Sequence, residues 1–467
     1  VTTPTLRPYQ TQAVAEIRQA FGQRHRAVLF VLPTGGGKTV LFSHITEQAA
    51  AKGNRVCIVV HRVELLRQAS ASLDAMGVRH GLIAANHGMD LSQRVQVASV
   101  GTLARRLRHL PREWFNLLVV DEAHHSNAGT WATVLGHFAA AKVLGVTATP
   151  CRGDGRGLGE WYSEMVLGPS AAWLTEHGYL APAKVLAPPI RFDAKGLRKR
   201  MGDYDMTQAA DMLSGGKAMG DCLTHYRQHL AGQTAIAFCC SIAHAEAVAR
   251  LFNDAGVAAA SIDGSMDAGT RELLLTRLSS GELKVLTSCA LIGEGVDVPS
   301  VAGCILLRPT QSVSLHLQMI GRCLRPQDGK RAVVLDHVGN TLRLGHHLEH
   351  RDWTLDGVMK RSRDAAPSVK VCPQCFSCMN SRVQVCPDCG HQFVAERREM
   401  VHVEGQLQEL QAQQAQQQRD RRREQGGAQT LEQLIEVGRR RGMKSPHGWA
   451  RHVLAARQAK GQWSRVA

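Results

Sequence analysis

Residues 31–40 read VLPTGGGKTV and follow directly on the apolar run AVLFVL. No other junction constrains the chain as much. Glycines at 35, 36 and 37 remove side chains, so that successive backbone N–H groups can turn inward and close on phosphate oxygens. They do so at the start of a helical stretch, KTVLFSHITEQAAAK, whose dipole favours anions. On this reading Pro33, Thr34, Gly35, Gly36, Gly37, Lys38 and Thr39 cradle a nucleotide, with Lys38 at the β and γ phosphates and Thr39 on Mg²⁺. One departure stands out: the strict pattern places glycine where this chain has Leu32. A flexible turn after a core strand is the bland alternative.

A nucleotide site also needs a carboxylate at the end of a neighbouring strand, and FNLLVVDEAHH supplies one. Four apolar residues of a buried strand lead into Asp121 and Glu122. Asp121 is the expected Mg²⁺ ligand. Glu122 lies where a general base would orient or deprotonate the water that attacks the γ phosphate.

The remainder of the chain agrees with an α/β protein. Up to about residue 180, strand-like runs (AVLFVL, RVCIVV, VQVASV, LLVV, KVLGV) alternate with helical stretches, the pattern of a parallel sheet covered on both faces. Residues 234–338 repeat it with TAIAFCC, AAASID, KVLTS, GCILL and AVVLD. Two tandem parallel-sheet domains follow, over 1–180 and 221–360, with 181–220 as a Pro-rich, charged linker segment that has short structure of its own. A cysteine-rich module over 368–395, a Gln/Arg-rich linker over 396–429 and a helical tail over 430–467 complete the expected order. In the tail, Ser445 caps a helix that starts at Pro446, and Trp449 and Val453 share its apolar face.

Lysine and arginine number 56 against 40 acidic residues, a formal charge of +16, which favours a polyanionic partner or a membrane surface. No apolar run reaches the ~18 residues of a membrane helix, and VTTPTLRPYQ lacks the features of a secretory signal, so a cytoplasmic protein is expected.

In SVSLHLQMIGRCLRP, a helix begun near Ser312 places Val313, Leu317, Ile320 and Leu324 on one stripe. Gln318, Arg322 and Arg325 fall on a different face, with Arg325 in the last turn or past it because Pro326 follows. Two arginines and a glutamine suit a cleft where charge develops on a transferred phosphoryl group. A solvated basic face is the alternative.

VCPQCFSCMNSRVQVCPDCGHQF holds two C-P-x-C units, Cys372 with Cys375 and Cys386 with Cys389, ten residues apart. Two such knuckles fill the four positions of one tetrahedral Zn²⁺ and leave none open for catalysis. Cys378 could replace Cys375 or remain a free thiol, and a redox pair is the competing reading, for which one C-x-x-C would have sufficed.

Taken in order, LRPYQ, PTGGGKT, VHRVELLRQ, ASVGTLARR, DEAHH, VTATP, SCALIGEGVDVP and QMIGRCLRP resemble the motifs of superfamily 2 helicases and translocases, over about residues 5–345. LRPYQ, VHRVELLRQ and RPTQSVSLHLQMIGRCLRP, with the cysteine cluster, are most similar to the bacterial RadD group of DNA-repair helicase-like proteins and to related prophage helicases. The resemblance implies two RecA-like P-loop domains that hydrolyse ATP in the cleft between them while tracking a nucleic-acid strand. It also implies that Gln10 reads adenine beside Arg7, and that Gly295 and Asp297 touch ribose and couple to the strand. Thr147 and Thr149 would link hydrolysis to strand binding, and Lys38, Asp121, Glu122, Gln318, Arg322 and Arg325 would form the catalytic set. DNA, single-stranded or forked, is the expected partner, together with replication or repair proteins and no membrane. Arg105, Arg106 and Arg108 are either part of the grip on phosphates or surface charge. A DEAH-type RNA helicase, the motor of a restriction system and a non-catalytic nucleic-acid scaffold are the competing readings.

Overall fold

Buried Val, Ile and Leu fill the strand-like runs, and in the computed structural model of the chain these runs lie side by side as parallel strands. The structure describes residues 5–85, 87–125, 129–153, 155–187, 194–200, 203–214, 217–289, 301–358 and 368–393, and then 424, 427–428, 430–441, 445–451 and 453–454.

The first lobe is a sheet of seven strands in the order β3-β4-β2-β5-β6-β1-β7. Its strands are β1 (Ala27–Val31), β2 (Val56–Val60), β3 (His80–Ile83), β4 (Val95–Ser99), β5 (Leu117–Asp121), β6 (Lys142–Thr147) and β7 (Glu164–Leu167). Helices α1 (Pro8–Gly22), α2 (Lys38–Ala51), α3 (Val63–Ala75), α4 (Val100–Arg106), α5 (Gly129–His137) and α6 (Ala171–Glu176) cover it. Every residue of β1, β2 and β5 is buried, as a sheet sandwiched between helical layers requires.

The second lobe is a six-stranded parallel sheet in the order β12-β13-β11-β14-β15-β8. The strand β8 (Ala183–Leu186) is followed by a short antiparallel pair, β9 (Lys199–Arg200) and β10 (Asp203–Tyr204). The other sheet strands are β11 (Ala235–Phe238), β12 (Ala259–Ile262), β13 (Val285–Ser288), β14 (Gly303–Leu306) and β15 (Ala332–Asp336). Around them pack α7 (Met206–Ser214), α8 (Lys217–His229), α9 (Ile242–Asp254), α10 (Ala268–Ser279), α11 (Val313–Gly321) and α12 (Asn340–Leu344).

The connecting segment 181–220 carries more than short structure of its own: β8 pairs in parallel with β15 and forms an edge of the second sheet, and α8 starts at Lys217. The helix after Ser312 is also shorter than its apolar spacing suggested. Ser312 caps it as expected, its hydroxyl accepting from Leu315 N, but the helix ends at Gly321 with Arg322 as its C-cap. Cys323 N then donates to Ile320 O and Leu324 N to Gly321 O, a tighter winding that precedes Pro326. Leu324 is buried, yet it lies beyond the helix.

After the second lobe, the antiparallel pair β16 (Trp353–Thr354) and β17 (Gly357–Val358) returns to the first. Gly159 N donates to Leu355 O at 2.8 Å, and a Cβ on Gly157 would collide with Leu355 O. The strands β18 (Val369–Val371) and β19 (Cys378–Asn380) then form the cysteine-rich module against β8, where Ala187 N donates to Phe376 O at 3.0 Å.

Residues 394–467 form a separate unit. In it Leu431–Arg440 is a helix opened by a reciprocal Thr430–Gln433 cap, with Trp449 and Val453 packed on Leu434, Ile435 and Val437. Most of the expected linker over 396–429 lies outside the described residues. Among the described residues, no helix is long and apolar enough to cross a membrane.

Candidate active site in the cleft between the lobes

The glycine loop joins β1 to α2. Gly35 and Gly37 have φ of +85° and +84°, a region that side chains disfavour. Space forbids side chains as well: a Cβ on Gly37 would stand 2.6 Å from Gln10 Nε2, and one on Gly36 would stand 2.8 Å from Leu32 Cγ. The second contact explains Leu32. Its φ is not left-handed and its side chain is fully buried, so the position requires no glycine. Leu32 N donates to Thr147 O on the neighbouring strand, and Leu32 O accepts from Lys38 Nζ at 3.2 Å.

Lys38 is the centre of the arrangement. Burial lowers its ammonium pKa, Glu122 and Asp121 oppose that shift, and Arg322 and Arg325 add to it. The loop lysine, both strand-end carboxylates and both arginines of the second lobe therefore share one electrostatic environment. Asp121 ends β5, and its carboxyl is pushed up by burial and by the Glu122 charge, with Lys38 acting in the opposite direction. Asp121 Oδ1 also accepts from Glu122 N at 2.9 Å. Burial lowers the Arg325 pKa.

Glu122 has a φ of +47°, which a residue with a side chain adopts only where its surroundings hold it. His124 supplies much of that hold. Its Nδ1 lies 3.0 Å from Thr147 Oγ1 and 3.3 Å from Glu122 Oε2, and its Nε2 lies 3.4 Å from Gln318 Nε2 on α11. Gln318 is therefore tied to the carboxylate side through His124.

Other contacts close the cleft. Thr149 Oγ1 donates to Ser314 Oγ at 2.6 Å. Thr147 Oγ1 donates to Thr149 O at 2.8 Å, so both threonines belong to one network. Glu64 on α3 pairs with Arg271 on α10. Gly321, the last residue of α11, lies so close to Thr34 that a Cβ there would be 2.5 Å from Thr34 Cβ. Near neighbours line the loop: Pro33 and Thr34 flank a cavity of about 210 Å³ that Leu317 and Leu324 also line.

Gln10 is directed at the loop, with Nε2 donating to Gly37 O at 3.0 Å and Oε1 accepting from Arg7 N at 2.8 Å. Tyr9 donates to Gly36 O at 2.7 Å, and the Arg7 guanidinium lies 4.9 Å from the centre of the Tyr179 ring. Arg105, Arg106 and Arg108 stand apart from the cleft network. Arg105 Nε donates to Gly101 O, Arg106 Nη1 to His87 O, and Arg108 Nε to His109 Nε2. Gly295 and Asp297 lie outside the described residues.

Tyr9, Thr34 as a contact of the other lobe, His124 and Ser314 were not singled out from sequence. The repeated histidine of DEAHH was the available signal for His124.

In the cysteine module, Sγ of Cys372, Cys375, Cys386 and Cys389 all lie within 4.8 Å of one another, with the 372–389 and 375–386 pairs at 3.6 Å. Four thiolates on Zn²⁺, each at about 2.3 Å, stand about 3.8 Å apart, so the donor set and spacing fit that ion. Cys378 is outside the group: it lies on β19, buried, and burial raises its thiol pKa. Asp388, inside the second knuckle, pairs with Arg331 at 2.5 Å and ties the module to the residue before β15.

Comparison with known proteins agrees with this geometry. Residues 3–152 match the family described as the type III restriction enzyme res subunit, and residues 217–327 match the helicase conserved C-terminal domain. The chain is 34% identical over 379 residues to a 51.5 kDa protein of a Lactococcus phage, covering 80% of each chain. It is 30% identical to the putative ATP-dependent helicase IRC3 of Saccharomyces cerevisiae, covering 72% of this chain and 52% of the yeast protein. The fold matches a fragment of a putative HsdR subunit of a type I restriction enzyme from Vibrio vulnificus, with a TM-score of 0.59 at 23% identity, covering 74% of this chain and 67% of that one. With its two parallel-sheet lobes and a glycine loop at the cleft between them, the chain belongs to the superfamily 2 helicases, ATP-hydrolysing enzymes that act on nucleic acid.

Proposed function

We propose that this enzyme is a DNA motor, a helicase or translocase that grips a single strand or a fork and advances as its lobes close and part. One observation carries the reading: the second lobe is seated on the glycine loop and the strand-end carboxylate of the first, with Gly321 against Thr34, Gln318 against His124 and Ser314 against Thr149. Backbone amides of residues 35–39 and Lys38 hold the phosphates of ATP. Thr39 and Asp121 would hold Mg²⁺, which supplies charge neutralisation on those phosphates. Arg7 and Gln10 take the adenine side, and Gly295 and Asp297 the ribose.

Glu122 orients the attacking water and accepts its proton. Arg322 and Arg325 stabilise the charge that develops on the transferred phosphoryl group, and Gln318 reports through His124 that the second lobe is in place. Once the γ phosphate leaves, the arginines lose their anchor and the lobes separate. Alternation of the two states moves a strand held across both lobes, mainly by its phosphates.

The restriction-enzyme family matched by residues 3–152 supports DNA over RNA as the polymer. We place the enzyme in the cytoplasm, in RadD-like repair, recombination or replication, with proteins of those processes as partners. One Zn²⁺ on Cys372, Cys375, Cys386 and Cys389 stabilises the module beside β8.

The test is ATP hydrolysis measured in parallel with single-stranded DNA, duplex DNA, forked DNA and RNA, with Lys38→Ala as the blank. DNA should stimulate and the blank should be inactive. Stimulation by RNA alone would overturn the substrate, and hydrolysis by Lys38→Ala would overturn the site.

A further inference from the structure

The strands β2 and β5 are neighbours, and their C-terminal ends form one stretch of the cleft rim. His61 and Arg62 follow β2, and Asp121 and Glu122 lie at the end of β5. The His125 ring spans the gap between them. Its centre is 4.4 Å from that of His61, tilted by 45°, and 4.2 Å from that of His124, tilted by 40°. His124 then contacts Glu122 Oε2 and Gln318 Nε2, at 3.3 Å and 3.4 Å. Three imidazoles thus run from the loop after β2 to the strand-end carboxylate and to the second lobe.

Both ends of this ladder are placed to matter. At the far end Glu122 sits on left-handed backbone, followed by the single 3₁₀ turn Ala123–His125. Such a turn has few hydrogen bonds of its own, so its geometry depends on what packs against it. At the near end Arg62 directly follows β2 beside His61, and Arg67 is exposed in the second turn of α3, the helix that leaves β2. A polyanion lying along that edge would meet the loop that carries His61.

We propose that His61 and His125 are positioning residues that couple a nucleic-acid phosphate on the β2 side of the rim to the orientation of Glu122, a proposal that rests on the motor reading above. Packed rings do not deform continuously, so displacement of His61 moves His125, and His125 moves His124. His124 is the junction where the signal from the strand and the signal from lobe closure, through Gln318, meet. His125 is placed between two other imidazoles, and the His61 charge also acts on the Asp121 carboxyl at the end of β5.

The experiment uses the full chain with saturating ATP, with and without a saturating single-stranded oligothymidylate. The ratio of stimulated to unstimulated kcat should fall by about two- to thirty-fold in His61→Ala and in His125→Ala. The KM for ATP and the Kd for the oligonucleotide, measured by fluorescence anisotropy, should each stay within about twofold. Because the residues act in series, the double variant should be no worse than the worse single one. His125→Phe keeps a flat ring and should recover most of the stimulation. Additive losses, an equal fall in both rates, or an unchanged ratio would each overturn the ladder. A wild-type enzyme that no DNA or RNA stimulates would instead overturn the motor reading, and that result comes from wild type alone, before any variant is made.

Discussion

Gly321→Ala isolates lobe closure from lobe folding. The added methyl would meet Thr34 Cβ at 2.5 Å and Thr34 Cγ2 at 2.7 Å, where ordinary carbon contacts lie at about 3.5–4.0 Å. The lobes must therefore part by about 1–1.5 Å at this point, or the glycine loop must shift by as much. Overpacking of this size costs about 1–3 kcal/mol, which is about a 5- to 150-fold fall in the population of the closed state and in kcat/KM. Within the second lobe the substitution carries no such cost, since Gly321 ends α11 without a positive φ and alanine suits a helical residue at least as well as glycine. Steady-state ATP hydrolysis with thermal melting in parallel separates the two effects. Slow hydrolysis with a melting temperature at or above that of wild type is expected. Wild-type hydrolysis by Gly321→Ala would show that the Thr34–Gly321 contact has no part in the active form, and the reasoning would fail.

Other outcomes follow from the same geometry. The purified protein should carry about one zinc per chain by elemental analysis, and Cys386→Ser should release it and lower the melting temperature; a metal-free preparation with an unchanged melt would refute the module. Acid should destabilise the second lobe. Burial holds the pKa of His316 and His346 near 4 and that of His337 near 3, against 6.5 for an exposed histidine. The unfolded chain therefore binds more protons between those values, and stability that is full above about pH 6.5 is lost as pH falls toward about 4. Urea midpoints that do not move over this range would contradict it, and His316→Leu should flatten the dependence. DNA affinity should fall steeply as salt rises, since the grip is mainly on phosphates, and a salt-independent Kd would argue against that mode.

Much of the site could be read from local spacing. Lys38 and Thr39 follow a strand and glycines, Asp121 and Glu122 close another strand, and Ser312 caps the helix that carries Gln318. Each of these depends on residues within one turn or one strand. The contacts that assemble the cleft do not. Thr149 and Ser314 are 165 positions apart and Glu64 and Arg271 are 207 apart, so no periodicity links them. Edge strands were also hidden: β3, β7 and β8 read HGLI, EMVL and AKVL, too short and too mixed to stand out from a loop. The strand β8 becomes one because β15 offers it a parallel partner. At α11 the apolar stripe ran on past the true helix end, because hydrophobic spacing marks burial and Leu324 stays buried after the winding tightens. At Leu32 the motif rule asked for glycine, but its conformation needs none.

The central claim is that arginines of the second lobe complete a nucleotide site built on the first. Single-turnover hydrolysis by Arg322→Ala and Arg325→Ala, set beside equilibrium binding of a fluorescent ATP analogue, tests it most directly. The account predicts that nucleotide still binds within a few-fold of wild type while the chemical step slows by about 10³-fold or more. Wild-type chemistry in either variant would contradict it.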